Sequence, residues 1–205
     1  MESFFNLSDE KQTAIIDAAM AAFGATGYKK TSISDIAGAA GISKAMVFHY
    51  FGTKKGLYLY LIDYGIKLIT NEIEQRFDRT ITDFFDRILQ ASEIKVAILQ
   101  KHPSALFFMT AVFYETNEEV AEDIHETLKK GDDYRDHIAF DGMDTSKFKE
   151  GVDAKLIMKM LYWMAEGYMD SVKGQRDFNI DTFFKDFKDS LHMMKANFYK
   201  DEYLH

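Results

Sequence analysis

Apolar residues recur three and four apart along most of the chain, and glycines or hydroxyl residues interrupt the pattern at a few places. Ser8 stands before Asp9 and Glu10, which suit the positive end of a helix, and Ile15, Ala18, Ala19, Ala22 and Phe23 then form one stripe that ends at Gly27. Ser32 and Asp35 have capping-box spacing ahead of Ile36, Ala37 and Ala40, which predicts a second, short helix stopping at Gly41. Ser43 opens a third over 44–51, closed by Gly52. From Thr53 the positions Leu57, Tyr60, Leu61, Tyr64, Leu68, Ile73 and Phe77 predict a long fourth helix of about 24 residues, roughly 36 Å. Further helices are expected over 81–101, 103–115, 118–139, 152–173 and 180–202, with Pro103 at a helix start and Thr116 with Glu119 as another capping box. Residues 140–151 read as the one long loop.

The last two helices carry more apolar surface than one chain needs. Ile180, Phe184, Phe187, Leu191, Met194 and Phe198 follow the 4, 3, 4, 3, 4 spacing of a coiled-coil-like seam, broadened by Phe183. The helix before it is apolar nearly all round, with Leu156, Ile157, Met160, Leu161, Tyr162, Trp163, Met164, Tyr168, Met169 and Val172. A helix pair facing its own core and an identical pair in a second copy gives a two-fold four-helix bundle. The expected dimer interface is therefore Leu161, Met164 and Tyr168 with Phe184, Phe187, Leu191 and Met194.

Composition supports an all-α chain: one proline and twelve glycines in 205 residues leave few of the breaks that an all-β fold requires. The absence of cysteine excludes disulfides, thiolate metal sites and a Cys nucleophile. No stretch approaches the ~20 apolar residues that span a bilayer, and no secretory leader is legible, so a cytoplasmic protein without a membrane partner is expected. The formal net charge of −8 weighs against a nucleic-acid partner, but the average conceals a division. Between residues 28 and 55, Lys29, Lys30, Lys44, Lys54 and Lys55 face Asp35 alone. Lys54 and Lys55 sit in the first turn of the long helix, where cations oppose the helix dipole and imply a compensating anion.

Two short helices joined by Ala-Ala-Gly-Ile-Ser, behind a longer supporting helix, make a helix-turn-helix. Around it stand Ala22-Phe23, Gly27-Tyr28, Thr31-Ser32-Ile33-Ser34-Asp35-Ile36-Ala37, Ala40-Gly41-Ile42-Ser43-Lys44, Phe48-His49-Tyr50-Phe51 and Thr53-Lys54-Lys55-Gly56-Leu57. In this combination, over residues 9–62, the chain resembles the TetR family of bacterial transcriptional regulators. The resemblance implies an N-terminal helix-turn-helix DNA-binding domain (1–52) and a C-terminal helical effector-binding and dimerisation domain (53–205). It implies a homodimer that binds a palindromic double-stranded operator and is released by a small, largely apolar effector, with no catalysis and no cofactor. The competing reading is an effector-independent architectural or activating DNA-binding protein.

Matched to that pattern, Lys44, Ala45, Met46, Phe48 and His49 lie on the recognition helix, and Tyr50, Thr53 and Lys54 reach phosphates. Thr31, Ser32 and Ser43 add hydroxyl or helix N-terminal contacts; Ser32, Ser43 and Thr53 serve as caps, as phosphate ligands, or as both. Three positions depart from the family's habit: Phe48 replaces a tyrosine, Met46 a polar residue, and Gly56 weakens the first turn of the long helix. All five arginines, Arg76, Arg79, Arg87, Arg135 and Arg176, lie outside the reading head, so no bidentate arginine contact to guanine is available there. Specificity is expected to lean on thymine-methyl contacts from Ala45 and Met46 and on DNA shape.

Effector candidates are Tyr60, Tyr64, Phe107, Phe108, Phe113, Trp163 and Glu166, each of which also reads as ordinary helix core or, for Glu166, as a solvated carboxylate. Glu122 with His125, and Asp189 with His192, imitate half of a carboxylate di-iron bundle but lack its other ligands, so no metal is expected.

Overall fold

The structure is a computed structural model that describes residues 2–171 and 179–204. Ten α-helices appear in it: α1 (Glu2–Phe5), α2 (Asp9–Lys30), α3 (Ile33–Ala39), α4 (Lys44–Phe51), α5 (Lys54–Arg76), α6 (Phe84–Lys101), α7 (Pro103–Phe113), α8 (Ala121–Phe140), α9 (Ala154–Ser171) and α10 (Ile180–Phe198). The fold is all-α, as the apolar spacing predicts. Among the described residues no strand forms; Phe148 and Tyr199 make a single antiparallel bridge. The expected end of the ninth helix at Val172 and Lys173, together with Arg176 and His205, lies outside the described residues.

The chain packs as two compact units, Met1–Gln75 with Ala97–Tyr134, and Arg76–Val96 with Arg135–His205. In the first, α3 packs against both α2 and α4, and Ile33, Ile36, Ala37 and Val47 are all buried. The α2 backbone breaks at Gly27, whose φ of 73° a side chain would resist, and a last turn then carries Tyr28 to Lys30. Helix α7 lies against α2 so closely at Gly24 that a Cβ there would come within 3.0 Å of the Phe108 backbone nitrogen. Phe23, Tyr58 and Phe108, from α2, α5 and α7, form one aromatic cluster with ring centroids 4.9 to 6.3 Å apart.

The second unit has its own core of Phe84, Phe85, Ile88, Ala139, Phe148, Ala154, Ile157, Met158, Leu161, Leu191 and Tyr199. Beneath it, the buried Asp83 caps α6: its Oδ1 accepts from the Phe85 and Asp86 N–H groups at 3.1 Å and from the Tyr199 hydroxyl at 3.2 Å. Its Oδ2 meets Lys147 at 3.1 Å and Lys195 at 3.2 Å. The Arg87 guanidinium is 1% exposed and donates to the carbonyls of Ile138 and Ile81.

Several boundaries differ from those expected. The turn before α8 is closed by Asn117, which accepts from Glu119 N–H, and by Glu115, which accepts from Thr116 and Asn117 N–H; the helix starts at Ala121 rather than 118. Helix α10 ends at Phe198, not 202, because Tyr199 turns extended and buries its ring against Phe85 and Phe148. No expectation covered α1.

Candidate nucleic-acid interface

Eight residues make α4, and burial divides them sharply. Val47, Tyr50 and Phe51 face inward, while Lys44, Ala45, Met46, Phe48 and His49 are exposed. Met46 and Phe48 keep 38% and 39% of their surface in water although both are large and apolar. A short helix fixed on one side and showing cationic, apolar and aromatic side chains on the other has the shape and chemistry to enter a DNA major groove. The Lys44 ammonium sits 5.9 Å from the Phe48 ring centroid, so the aromatic face steadies the cation at the head of this surface.

The hydroxyls first serve the local fold. Ser32 accepts from Ser34 N–H at 3.1 Å, Ser43 from Met46 N–H at 3.2 Å and Thr53 from Gly56 N–H at 2.9 Å, so each stands at the N-terminus of α3, α4 or α5. These ends leave further N–H groups for an anion. Thr31 is different: it is buried, its hydroxyl donating to the Gly27 carbonyl at 2.7 Å across the kink. Tyr50 is also buried, at 4%, with its ring on Phe4 and His49. The structure thus holds Lys44, Ala45, Met46, Phe48, His49, Ser43 and Thr53 at the surface and places Thr31 and Tyr50 within the fold.

The two cations of the first α5 turn have protein partners. Lys54 Nζ donates to the Lys29 carbonyl at 3.2 Å and lies 4.8 Å from the Tyr28 ring centroid. Lys55 pairs with Asp123 of α8 at 2.7 Å, which supplies one anion for the unfavourable dipole. Glu115, two residues past the end of α7, accepts from the Tyr28 backbone N–H at 2.7 Å and so ties the segment after the kink to the turn that follows α7. Burial, with Glu119 and Glu115 beside it, pushes the Tyr28 hydroxyl well above its ordinary value and keeps it neutral. Glu115 and Asp123 are contacts that local sequence pattern cannot reveal, since their partners lie 87 and 68 positions away.

The expected effector residues are scattered. Phe108 is fully buried between Phe23 and Tyr58, and Phe107 is exposed. Tyr60 and Tyr64 are half-buried on α5, where burial is the main cause that pushes both hydroxyls up; Tyr60 joins the rings of Phe4 and Phe51. Phe113 is half-buried beside Tyr114. Trp163 and Glu166 belong to the second unit, Trp163 at 59% exposure and Glu166 half-buried. None of the seven lines the cleft of about 480 Å³ bounded by Leu7, Ile15, Ile42, Met46 and Tyr50 among others, nor the one of about 500 Å³ at Phe140, Phe148 and Val152. No group of three or more His, Asp or Glu among the described residues is placed to hold a metal.

Of the expected dimer residues two are buried within the chain and five stay partly exposed. Leu161 and Leu191 are in the core of the second unit, Met164, Phe187 and Met194 pack against it, Phe184 is half-buried, and Tyr168 stacks near Phe183. The large apolar side chains left exposed on these helices are Leu156, Met160 and Trp163, one stripe of α9, and Met193 of α10. Periodicity identified the penultimate helix as apolar nearly all round and the last as a single seam, without distinguishing the inner face from the outer.

Comparison with known proteins gives this arrangement a context. Residues 15–61, from α2 into α5, match the family model for bacterial regulatory proteins of the tetR family. The fatty acid metabolism regulator protein of Bacillus subtilis (strain 168) is 27% identical over 159 residues, which is 74% of this chain and 78% of that protein. A TetR family regulator from Chloroflexus aurantiacus superposes with a TM-score of 0.70 at 20% identity, over 98% of both chains. The FadR regulator of B. subtilis, solved in complex with stearoyl-CoA, superposes with a TM-score of 0.69 at 20% identity, over 87% of this chain and 96% of that one. At such identities the two structures speak for the fold, and the segment that matches the family model for bacterial regulatory proteins of the tetR family is the helix-turn-helix itself.

Proposed function

We propose that the protein is a homodimeric repressor that reads a palindromic operator with α4 and leaves it when a long-chain acyl thioester binds. The observation that carries this reading is the exposed face of α4, where Met46 and Phe48 keep more than a third of their surface in water and Lys44 stands beside them. Thymine methyl groups suit Ala45, Met46 and Phe48, and with no arginine in the head the remaining selectivity falls to Lys44 and to DNA shape. Ser43, Thr53 and Lys54 are assigned to the phosphates, and Thr31 and Tyr50 support them from inside. The effector class follows the relatives, one a regulator of fatty acid metabolism and one a structure holding stearoyl-CoA. No single helix among the described residues is long and apolar enough to cross a membrane.

Two copies place two α4 helices on one side of the duplex, about 34 to 36 Å apart for successive major grooves. The surface assigned to the second copy is Leu156, Met160, Trp163 and Met193, continuing onto the half-buried Met164, Tyr168, Phe184, Phe187 and Met194 and leaving out Leu161 and Leu191, which the core has claimed. Trp163→Glu with Met160→Glu is expected to shift the mass from dimer to monomer in sedimentation while leaving the helical content intact, and to weaken operator binding at least tenfold. A dimer that survives both charges refutes this face.

Fluorescence anisotropy on a duplex recovered by the protein from a random-sequence pool tests the whole reading. Affinity should fall steeply with salt, and Lys54→Ala should weaken selected and unselected duplexes alike, reducing the salt slope by about 1. Micromolar stearoyl-CoA should release the duplex, whereas free coenzyme A should not. Binding that is indifferent to the thioester would favour the effector-independent reading; a protein that ignores duplex DNA altogether would end both.

A further inference from the structure

Residues 1–7 fall outside every motif, yet Phe4 has no exposed surface. Its ring lies 4.9 Å from that of Phe51 and 5.8 Å from that of Tyr50, both on α4, and 5.6 Å from that of Tyr60 on α5. Phe51 and Tyr60 in turn are 5.2 Å apart, so the four rings close the corner where the recognition helix meets the long helix. The chain is fastened on either side of this plug. Leu7 N–H donates to the Phe4 carbonyl at 3.1 Å, and Gln12 on α2 donates its side-chain amide to the Leu7 carbonyl at 2.9 Å.

Resting on the reading of α4 as the DNA-contacting helix, we propose that Phe4 is a positioning residue for DNA recognition: it packs against Tyr50 and Phe51 of α4 and Tyr60 of α5 at once and thereby sets how far the outer face of α4 projects. The physical reason is the shape of α4. Only eight residues long, it is held on its inner side by Val47, Tyr50 and Phe51, and two of those three rest on Phe4. A close-packed interior transmits the loss of one ring as a shift of its neighbours. Direct base contacts are sensitive to such a shift, whereas attraction to phosphates is not. Phe4 itself reaches no DNA, because its ring is wholly inside.

The experiment compares wild type, Phe4→Ala and Phe4→Leu on the duplex selected by the wild type and on an unrelated duplex of equal length, across a salt series. Phe4→Ala is expected to lose tenfold or more of its affinity for the selected duplex, to hold its affinity for the unrelated one within a factor of two, and to keep the wild-type salt slope. Phe4→Leu, which refills most of the space, should restore affinity to within about threefold and serves as the readout should the alanine variant fail to fold. An unchanged ratio between the two duplexes in both folded variants would show Phe4 to be packing alone. Loss on both duplexes with a shallower salt slope would place the N-terminal segment on the phosphates instead. If the wild type selects no duplex, the reading of α4 fails first; if it selects one and both variants match it, only the role of Phe4 falls.

Discussion

Gly56→Ala will weaken operator binding more than tenfold and destabilise the reading head by about 3 kcal/mol, the upper part of the range for overpacking a tight site. Helix propensity alone predicts the opposite sign, since alanine exceeds glycine by about 1 kcal/mol in a helix interior. The structure reverses it. A Cβ at Gly56 would fall on the carbonyl oxygen of Phe51, and it would also approach Thr53 Oγ1 at 3.3 Å. Both neighbours are fixed: Thr53 N–H donates to the Phe51 carbonyl at 2.8 Å, and Gly56 N–H donates to the Thr53 hydroxyl at 2.9 Å. The end of α4 and the start of α5 must therefore move apart, and the recognition helix moves with them. Gly131, in the middle of α8 with open space where its Cβ would go, is the control, and Gly131→Ala should stabilise by up to about 1 kcal/mol. Chemical denaturation of the three proteins, with duplex titrations of each, checks both signs.

Asp83→Ala is expected to cost the second unit about 3 to 5 kcal/mol, the scale for removing one partner of a buried ion pair. The carboxylate serves five donors at once, and its loss strips the cap of α6, takes from Lys147, 21% exposed, its carboxylate, and leaves Lys195, 23% exposed, with Asp86 alone. Asp83→Asn should cost less, because an amide oxygen still caps the helix. Burial by itself would raise the Asp83 carboxyl, but the Asp86 N–H and the ammonium groups of Lys147 and Lys195 outweigh it and hold the group below its ordinary value. A depressed folded value means that the stabilisation is present above the unfolded value of about 3.9 and disappears as pH falls through the lower folded one. The gap between wild type and Asp83→Asn in denaturant midpoint should accordingly be full at pH 7 and narrow progressively below about pH 4.

These two sites also show where a sequence is legible and where it is not. Ser32 and Ser43 mark the starts of α3 and α4 because a cap is local chemistry, written within three residues of the bond it makes. The reading head could be recognised for the same reason: its caps, turn and aromatic run all lie within one short stretch. Asp83 gives no comparable signal, since Lys147, Lys195 and Tyr199 reach it from 64 to 116 positions away. Helix α1 has four residues, too few for a period, and its meaning lies in the pocket that receives Phe4. Apolar spacing placed Leu161 and Trp163 on the same helix, yet only packing decides that the first is core and the second is left in water. Among the residues proposed to meet DNA, the pattern put forward the candidates, but the burial of Thr31 and Tyr50 depends on α2 and α1 closing over them.

The outer face of α4 is proposed to lie against base edges in the major groove. Replacing Phe48 by the photoreactive benzoylphenylalanine keeps an aromatic ring at that surface and asks the question directly. Irradiation with the selected duplex should crosslink protein to DNA at two positions related by the operator dyad, while the same group at Tyr203, an exposed site in the other unit, should not crosslink. A duplex that is bound yet crosslinks from position 203 and never from position 48 would contradict the assignment of α4 as the reading helix.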